Sequence, residues 1–322
     1  MSRFGIATLV ASPVLVTSVL AAVPAVAHAD EPKFEYAKKE DVKSVEWKAA
    51  AQAGFILTSG NSHTTTFSAG ATASRKAGDN KLSIDFAAAY GKSDIKIAKD
   101  DDGDGKVGAD EIDSVEQVTT NAYMLKGRYD RFLTDQNSVF VTARAGADKT
   151  AGKSLIAGGQ IGYSRLLLKT SKHELASELG YDFSYETYVA TGVDSLSIHS
   201  ARLFLGYTGT LSDATALTAS AELLTNLNSE KDAPHDANGD GNAANDPVGV
   251  DAFGDNRFTG KVALTTKLTE DISFRFGFTA RLDSAPAPLG NIAGSTGYEA
   301  GYQPLAEKLD TLTEASLIVN LL

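Results

Sequence analysis

The stretch from Lys81 to Gly91 reads KLSIDFAAAYG and decides the fold. Large apolar side chains and polar or small ones alternate along it, which is the period of a strand with one apolar and one polar face. A helix would instead distribute the charge of Asp85 and its polar neighbours around its surface. The same alternation occurs from His173 to Tyr188 and from Asp271 to Leu282. We therefore expect an all-β chain built from amphipathic strands.

About twelve such segments follow one another, each near the roughly 9–11 residues that a tilted strand needs to cross a bilayer. The longest connections are Ser93 to Val115, Leu227 to Asp255 and Asp283 to Lys308, and they alternate with short turns. Of the connections on the long-loop side, the first, Thr58 to His63, is the one expected to be short. This asymmetry predicts a transmembrane antiparallel up-and-down β-barrel with long extracellular loops. The strands are expected to begin near Trp47, Thr64, Lys81, Glu116, Ser138, Leu155, His173, Leu196, Ala214, Asn256, Asp271 and Asp310.

A soluble β-sandwich would also show a period of two residues. Its strands would be shorter, about five or six residues on average. Aromatic residues also recur near the ends of the predicted strands, where the interfacial girdles of a membrane barrel would lie, so the barrel is favoured. These residues are Tyr90, Tyr129, Phe132, Tyr163, Tyr181, Tyr185 and Tyr207.

The N-terminus has the pattern of a secretory signal peptide. Arg3 precedes a mostly apolar stretch from Ile6 to Val26, and Ala27-His28-Ala29 provides a small-x-small cleavage site. Two prolines within the stretch argue against a membrane-anchor helix. We expect a signal peptide over residues 1–29 with cleavage after Ala29, a periplasmic segment over residues 30–44, and a barrel over residues 45–322 in the cell outer membrane.

The composition narrows the possible partners. The chain has 322 residues, no cysteine, a net charge of −11 and a mean hydropathy of −0.14. An acidic chain is a poor match for nucleic acid, whose phosphates require a basic surface. Without cysteine there is no disulfide framework and no thiolate metal site. Outer-membrane lipid is the expected partner, and the oligomeric state stays open.

Strand parity assigns many charged side chains to the barrel interior. Turning them toward lipid would cost roughly 2–4 kcal/mol for each arginine or lysine at the midplane. Acidic residues predominate on one strand and basic residues in the last third of the chain. The lumen is then either a narrow aqueous channel with a transverse field or an occluded interior in which opposite charges pair. The predicted lumen-facing residues are Lys126, Arg128, Arg144, Glu174, Glu178, Asp182, Glu186, Arg202, Glu222, Arg257, Lys261, Arg275 and Arg281.

The first long loop contains a pattern typical of a twelve-residue calcium loop, DDDGDGKVGADE from Asp100 to Glu111. Acidic residues stand at positions 1, 3 and 5 of that pattern, a carbonyl donor at position 7 and a potentially bidentate glutamate at position 12. The alternative is a solvated acidic loop without metal. The predicted ligands are Asp100, Asp102, Asp104, Lys106 and Glu111.

The second long loop contains a weaker version of the same pattern. Pro247 stands where the bidentate acid should be, with Asp246 next to it. A metal-free acidic loop is favoured more strongly here than in the first loop. The predicted ligands, again for Ca²⁺, are Asp236, Asn238, Asp240, Asn242 and Asp246.

No catalytic constellation stands out, and we expect no enzyme. His63, His173 and His235 have no serine-bearing motif beside them that forms a usable nucleophile–base pair, and His199 and Ser200, as neighbours in a strand, point to opposite faces. Gly158 to Gly162 lies within a strand, where glycine is expected to let a tyrosine pack beside it.

The segment from Val45 to Ser62, with Trp47, Gly54 and the sequence Ser59-Gly60-Asn61-Ser62, resembles the start of an uncharacterised family of Gram-negative barrels. That family is often labelled salt-induced outer membrane protein, or YdiY-like, and is a domain of unknown function. The resemblance implies an outer-membrane location and no established activity. The two long acidic loops depart from the family pattern. So does the ending at Leu322, which lacks the terminal aromatic common in signals for the barrel-assembly machinery, the other expected partner.

The sequence as a whole predicts an envelope barrel that is structural or forms a small-solute pore, with calcium-binding-type outer loops. The alternative is a non-conducting surface barrel whose long loops bind an external ligand or mediate adhesion. Whether the lumen conducts, and for which solute, stays open at this point.

Overall fold

The computed structural model of the protein describes residues 45–58, 63–98, 112–240, 242–290, 298 and 301–321. These residues form twelve antiparallel strands, each paired with its neighbours in chain order, and the first strand also pairs with the last. The all-β up-and-down barrel predicted from the sequence is confirmed. The strands are β1 (Glu46–Thr58), β2 (His63–Ala77), β3 (Asn80–Ala98), β4 (Ile112–Phe132), β5 (Asn137–Asp148), β6 (Lys153–Lys169), β7 (His173–Tyr188), β8 (Leu196–Thr210), β9 (Thr215–Asn226), β10 (Asn256–Lys267), β11 (Ile272–Asp283) and β12 (Leu309–Asn320).

Helix is almost absent from the described part of the chain. One 3-10 turn, Ala243–Asn245, lies between β9 and β10. Within the described ranges, no helix is long and apolar enough to cross a membrane.

The predicted strand starts agree with the observed ones to within two residues, except at β4, which begins at Ile112 rather than near Glu116. The strands are also longer than expected, from 12 to 21 residues. The largest difference is in the β3–β4 hairpin, where the ladder continues into the predicted loop and pairs Ile95 to Ala98 with Ile112 to Val115. Continued pairing satisfies the backbone groups of this hairpin, and Lys92 forms an ion pair with Glu116 at 2.5 Å.

The connections define two ends of the barrel. Short turns join β2–β3, β4–β5, β6–β7, β8–β9 and β10–β11 at what we call the turn end, and the other connections lie at the loop end. The β1–β2 connection was expected to be the one short connection at the loop end. Residues 149–152 between β5 and β6 also form a tight turn there. Asp148 Oδ1 accepts a hydrogen bond from the Ala151 amide at 3.1 Å, and Gly152 adopts a φ of 78° that favours glycine.

The outer surface of the barrel is apolar. Side chains such as Leu203, Leu264 and Phe276 alternate with buried neighbours and point outward. Outward aromatic residues lie toward the turn end and toward the loop end, as in membrane barrels. Phe132 was predicted to belong to these girdles, and that was wrong: it has the inward parity of Arg128 and packs against a buried cluster at the turn end. Examples of the outward aromatics are Trp47, Tyr129 and Tyr163 on the turn side and Phe67, Tyr90 and Tyr181 on the loop side.

The barrel closes through a short seam. The β1–β12 ladder joins Ala50–Ala53 to Leu317–Asn320, whereas the β3–β4 ladder runs the length of the hairpin. One further hydrogen bond, from the Leu321 amide to the Ala49 carbonyl at 2.9 Å, extends the seam toward the turn end. Closure therefore depends on the turn-end part of these two strands.

Candidate functional site in the barrel interior

Three acidic side chains of β7 form a row inside the barrel. Glu178, Asp182 and Glu186 are spaced four residues apart, so the period of two places them on one face of the strand. Glu178 is 0% exposed, and the other two are almost as fully buried. Buried carboxylates at this depth require compensating partners. Basic residues of five other strands supply them, and we call the whole set the interior ladder: Glu178, Asp182, Glu186, Arg128, Arg144, Lys153, Arg202 and Arg257.

Glu178 is held by two arginines. Its carboxylate oxygens accept from Arg128 at 2.8 Å and from Arg202 at 2.6 Å. Arg128 also pairs with Asp130 at 2.7 Å, and Arg202 with Glu222 at 2.5 Å. Because β5 and β6 separate β4 from β7, the Arg128–Glu178 pair spans the interior rather than following the wall.

A missing side chain at Gly162 makes room for this cluster. A Cβ there would lie 2.7 Å from the ring of Phe140, so the ring occupies the space that any larger residue would need. The Arg128 guanidinium carbon lies 4.1 Å from the centre of that ring, a cation–π distance. The expected partner of the glycine-rich stretch was a tyrosine, and the observed one is Phe140. Phenylalanine suits the position because a buried ring without a hydroxyl leaves no polar group to satisfy.

The other two acids have partners nearer the loop end. Asp182 pairs with Arg144 at 3.1 Å and accepts a hydrogen bond from Gln160 at 2.8 Å. Glu186 pairs with Lys153 at 2.9 Å and with Arg257 at 2.5 Å. The interior ladder thus extends along most of β7.

One ion pair crosses the mouth of the barrel. Lys153 on β6 also lies 3.6 Å from Asp283 on β11. These strands are five places apart in the closed ring of twelve, so the pair connects distant walls. Arg257 on β10 contacts the same Asp283 at 3.8 Å.

Lys153 and Asp283 were missed by the sequence prediction. Strict alternation gives Lys153 the opposite parity from Gln160 and places it on the outer face. The β6–β7 register shifts between Lys153 and Leu155, and this bulge reverses the parity at the strand end. The spacing of polar residues along the sequence gives no sign of this bulge. Asp283 follows the parity of Arg281 and was assigned to a loop only because the strand was drawn too short.

Three of the remaining predicted lumen residues are neutralised closer to their own strands. Arg275 lies 3.6 Å from Glu314, and Arg281 lies 3.6 Å from Asp310. Glu174 pairs with Lys169 at 3.3 Å at the turn end. Lys126 and Lys261 are partly buried on their strands. The acidic residues of β7 and the basic residues of the last third of the chain therefore do not form two separate charged walls. Arg257 pairs with Glu186 on β7, and Arg275 and Arg281 pair with acids of β12.

The β9–β10 and β11–β12 loops cover the mouth at the loop end. Leu196 and Ile198 of β8 pack against Ala233 and Val250 of the β9–β10 loop, with Ala285 of the β11–β12 loop beside them. We call this group, together with Tyr188, the apolar cap.

The two loops also bind each other and the β5–β6 turn. Asn242 Oδ1 accepts a hydrogen bond from the Gln303 amide at 2.8 Å, and Asn242 Nδ2 donates to the Gly301 carbonyl at 2.9 Å. A Cβ at Gly152 would lie 2.4 Å from the Pro288 carbonyl oxygen, so the glycine lets the β11–β12 loop settle onto the turn. The loops form one connected cover.

The β9–β10 loop brings together three of its five predicted metal ligands. Carboxylate oxygens of Asp236, Asp240 and Asp246 lie within 4.8 Å of one another, and the Asp246 Oδ2 atom is enclosed without a hydrogen-bond partner among the described residues. Asn238 donates a hydrogen bond to Asp240 at 3.3 Å. The side chain of Asn242 is engaged by the β11–β12 loop instead. A hydrogen bond from Asn245 lowers the pKa of Asp240, which keeps that carboxylate ionised.

The first predicted calcium loop lies outside the described residues, and with it Asp100, Asp102, Asp104, Lys106 and Glu111. The predicted signal peptide and the segment up to residue 44 also lie outside them. Of the histidine neighbours, His199 contacts Tyr181 on the outer surface whereas Ser200 is buried inside, so they do face opposite sides.

Comparison with known proteins identifies the family. The family model described as "Protein of unknown function, DUF481" matches residues 51–238. The chain belongs to the DUF481 family. No curated protein sequence matches the chain.

Solved structures similar to this DUF481 chain include a NanC porin, which is 11% identical with a TM-score of 0.41 and covers 85% of this chain and 100% of its own. OmpT, an outer membrane protein of Vibrio cholerae, is 8% identical with a TM-score of 0.35 and covers 86% and 97%. The translocator domain of the autotransporter NalP from Neisseria meningitidis is 12% identical with a TM-score of 0.35 and covers 86% and 87%.

The interior ladder predicts a large stability loss for Glu178→Gln. Removing this charge leaves Arg128 and Arg202 without their shared acid in a buried environment, which should lower the free energy of unfolding by about 3–5 kcal/mol. Reversible urea unfolding of the barrel in lipid vesicles measures it. The matched control is Glu174→Gln on the same strand, whose partly exposed pair with Lys169 should cost no more than about 1 kcal/mol. Equal losses for the two variants would contradict the role assigned to Glu178.

Proposed function

We propose that this DUF481 protein is an outer-membrane β-barrel of the cell envelope whose lumen is closed at rest. The membrane location is supported by the apolar outer face, by the two bands of outward aromatics and by the inward parity of the charged residues. The signal-peptide pattern of residues 1–29 supports export. In this proposal the turn end faces the periplasm, the loop end faces outside, and the barrel-assembly machinery inserts the chain into outer-membrane lipid.

The observation that carries the proposal is the ion pair from Lys153 to Asp283. It joins walls five strands apart at the mouth, and the loop cover lies over it. Deeper in the barrel, Glu178 is 0% exposed, so water does not reach this carboxylate, and the side chains of its arginine partners are also buried. A small-solute pore would need a continuous wet path past these groups. The paired charges favour a structural barrel instead.

Planar-bilayer recording tests this proposal. The purified barrel should insert without producing steady conductance steps. The control variant removes the barriers at both depths. It carries Arg128→Ser, Phe140→Ser, Arg202→Ser and Lys153→Ser, has a short glycine-serine turn in place of residues 229–252, and should conduct, showing that the insertion assay works. Steady conductance by the unchanged protein would identify it as a small-solute pore instead.

We also propose that the β9–β10 loop binds Ca²⁺ through Asp236, Asp240 and Asp246. The closeness of the three carboxylates supports this, and hard oxygen ligands suit calcium. Extracellular modules bind calcium at about 10⁻⁴–10⁻³ M, which suits a loop facing the outside. The first loop, through Asp100, Asp102, Asp104, Lys106 and Glu111, is a second proposed site on the strength of its sequence.

Isothermal titration with CaCl₂ separates the two sites. In a background of Asp100→Ala with Glu111→Ala, the remaining heat of binding should disappear with Asp246→Asn and persist with Asp232→Asn, an exposed acid on the same loop. Heat that is unchanged by Asp246→Asn would remove the proposed site in the β9–β10 loop. Calcium-dependent binding of an external ligand by a barrel without conductance would favour the surface-binding or adhesion alternative.

A further inference from the structure

Glu230 is a buried acid that neither the interior ladder nor the proposed calcium site uses. It lies at the start of the β9–β10 loop and is 3% exposed. Its amide donates to the Val250 carbonyl at 2.8 Å, and the Val250 amide donates back at 3.0 Å, so Glu230 is part of the hairpin that carries Val250 into the apolar cap. Its Oε1 atom is enclosed and has no hydrogen-bond partner among the described residues.

The surroundings of Glu230 contain more acid than base. Asp255, Glu186 and Arg257 act on it most directly, and Tyr188 lies nearby. Arg257 is already shared between Glu186 at 2.5 Å and Asp255 at 2.8 Å. Lys153 is shared between Glu186 and Asp283. The network therefore holds four carboxyl groups against two cations: Glu186, Glu230, Asp255 and Asp283 against Lys153 and Arg257.

We propose that Glu230 is a proton-controlled latch, which seats the β9–β10 loop in the barrel mouth when protonated and releases it when ionised. A neutral Glu230 can stay buried among three other acids, but an ionised one adds an uncompensated charge there. The least costly relief is movement of the Glu230–Val250 hairpin out of the mouth. The small apolar cap and the hydrogen bonds of Asn242 hold this loop in place, whereas the neighbouring acids Glu186, Asp255 and Asp283 lie in or next to barrel strands. This proposal rests on the proposed function only for the location of the β9–β10 loop outside the cell.

The direction of the pH effect follows from burial and from Asp255, which raise the pKa of Glu230 to about 7 from 4.5. Burial also raises the pKa of Asp255 above its usual value, against the effect of Arg257, so the two acids act in the same direction. The seated loop holds its proton more tightly than a released loop would. The stability that this proton gives the seated loop, relative to the released loop, is greatest below the ordinary glutamate pKa and is lost as the pH rises through about 7.

Hydrogen exchange at the amides of Glu230, Gly249 and Val250 tests the latch. These amides donate the hairpin and loop hydrogen bonds. After correction for intrinsic exchange rates, their protection factors in the full-length barrel should fall between about tenfold and about seventyfold from pH 5 to pH 8. The variant Glu230→Gln, which cannot ionise, should stay protected at both pH values. The control Asp232→Asn should keep the pH dependence of the unchanged protein.

Equal protection of the unchanged protein at pH 5 and pH 8 would overturn the latch, as would a pH dependence that survives Glu230→Gln. If Glu230→Gln does not fold, the carboxyl signal of Glu230 in the unchanged protein decides by NMR: titration near neutral pH supports the latch, and titration at the ordinary glutamate value overturns it. The proposed function fails separately. A conducting barrel with pH-dependent exchange would keep the latch and discard the closed lumen, and a silent barrel with pH-independent exchange would do the reverse.

Discussion

Placing a charged side chain against lipid costs several times more free energy than placing it beside a partner inside a barrel. The strands of this protein follow that difference. Because side chains alternate, one choice of parity decides which side chains of a whole strand face outward and which face the interior. On β7 the choice that puts Leu179 and Tyr181 into lipid also puts Glu178 and Asp182 into the interior. The apolar exterior and the charged interior are thus two consequences of one constraint.

The same constraint buries carboxylates in the barrel interior, where they need cations as partners. The barrel answers it by letting long basic side chains from β4, β5, β6, β8 and β10 converge on β7. Small residues on β6 leave room for them, and Gly162 is the clearest case because Phe140 and Arg128 stack over it. A buried pair of this kind contributes little net stability, but removal of one partner is costly. The interior ladder is therefore better understood as an arrangement that fixes the positions of these strands relative to β7 than as a source of stability.

Local alternation allowed most of the barrel to be predicted from the sequence. Eleven of the twelve strand starts were placed within two residues, because apolar and polar residues alternate cleanly there. The prediction failed in two different ways. The bulge at Lys153 reverses parity without any marker in the residue order. Phe132 was assigned to an interfacial girdle from its position at a strand end, although its parity with Arg128 already indicated the interior. The loop cover is a tertiary feature: nothing local indicates that Asn242 engages Gln303 rather than a metal, or that Glu230 meets Asp255 and Glu186.

The central claim is that the barrel interior is packed and dry around the ladder, and cysteine accessibility measures this directly because the chain has no cysteine of its own. Single variants Ser164→Cys and Ser184→Cys place a thiol at buried interior positions, and Ser171→Cys places one at an exposed turn. A small water-soluble thiol reagent should modify the two interior sites at least about a hundredfold more slowly than the turn site, because each requires local opening. Interior rates within a few-fold of the turn rate would contradict the claim and indicate a water-filled lumen.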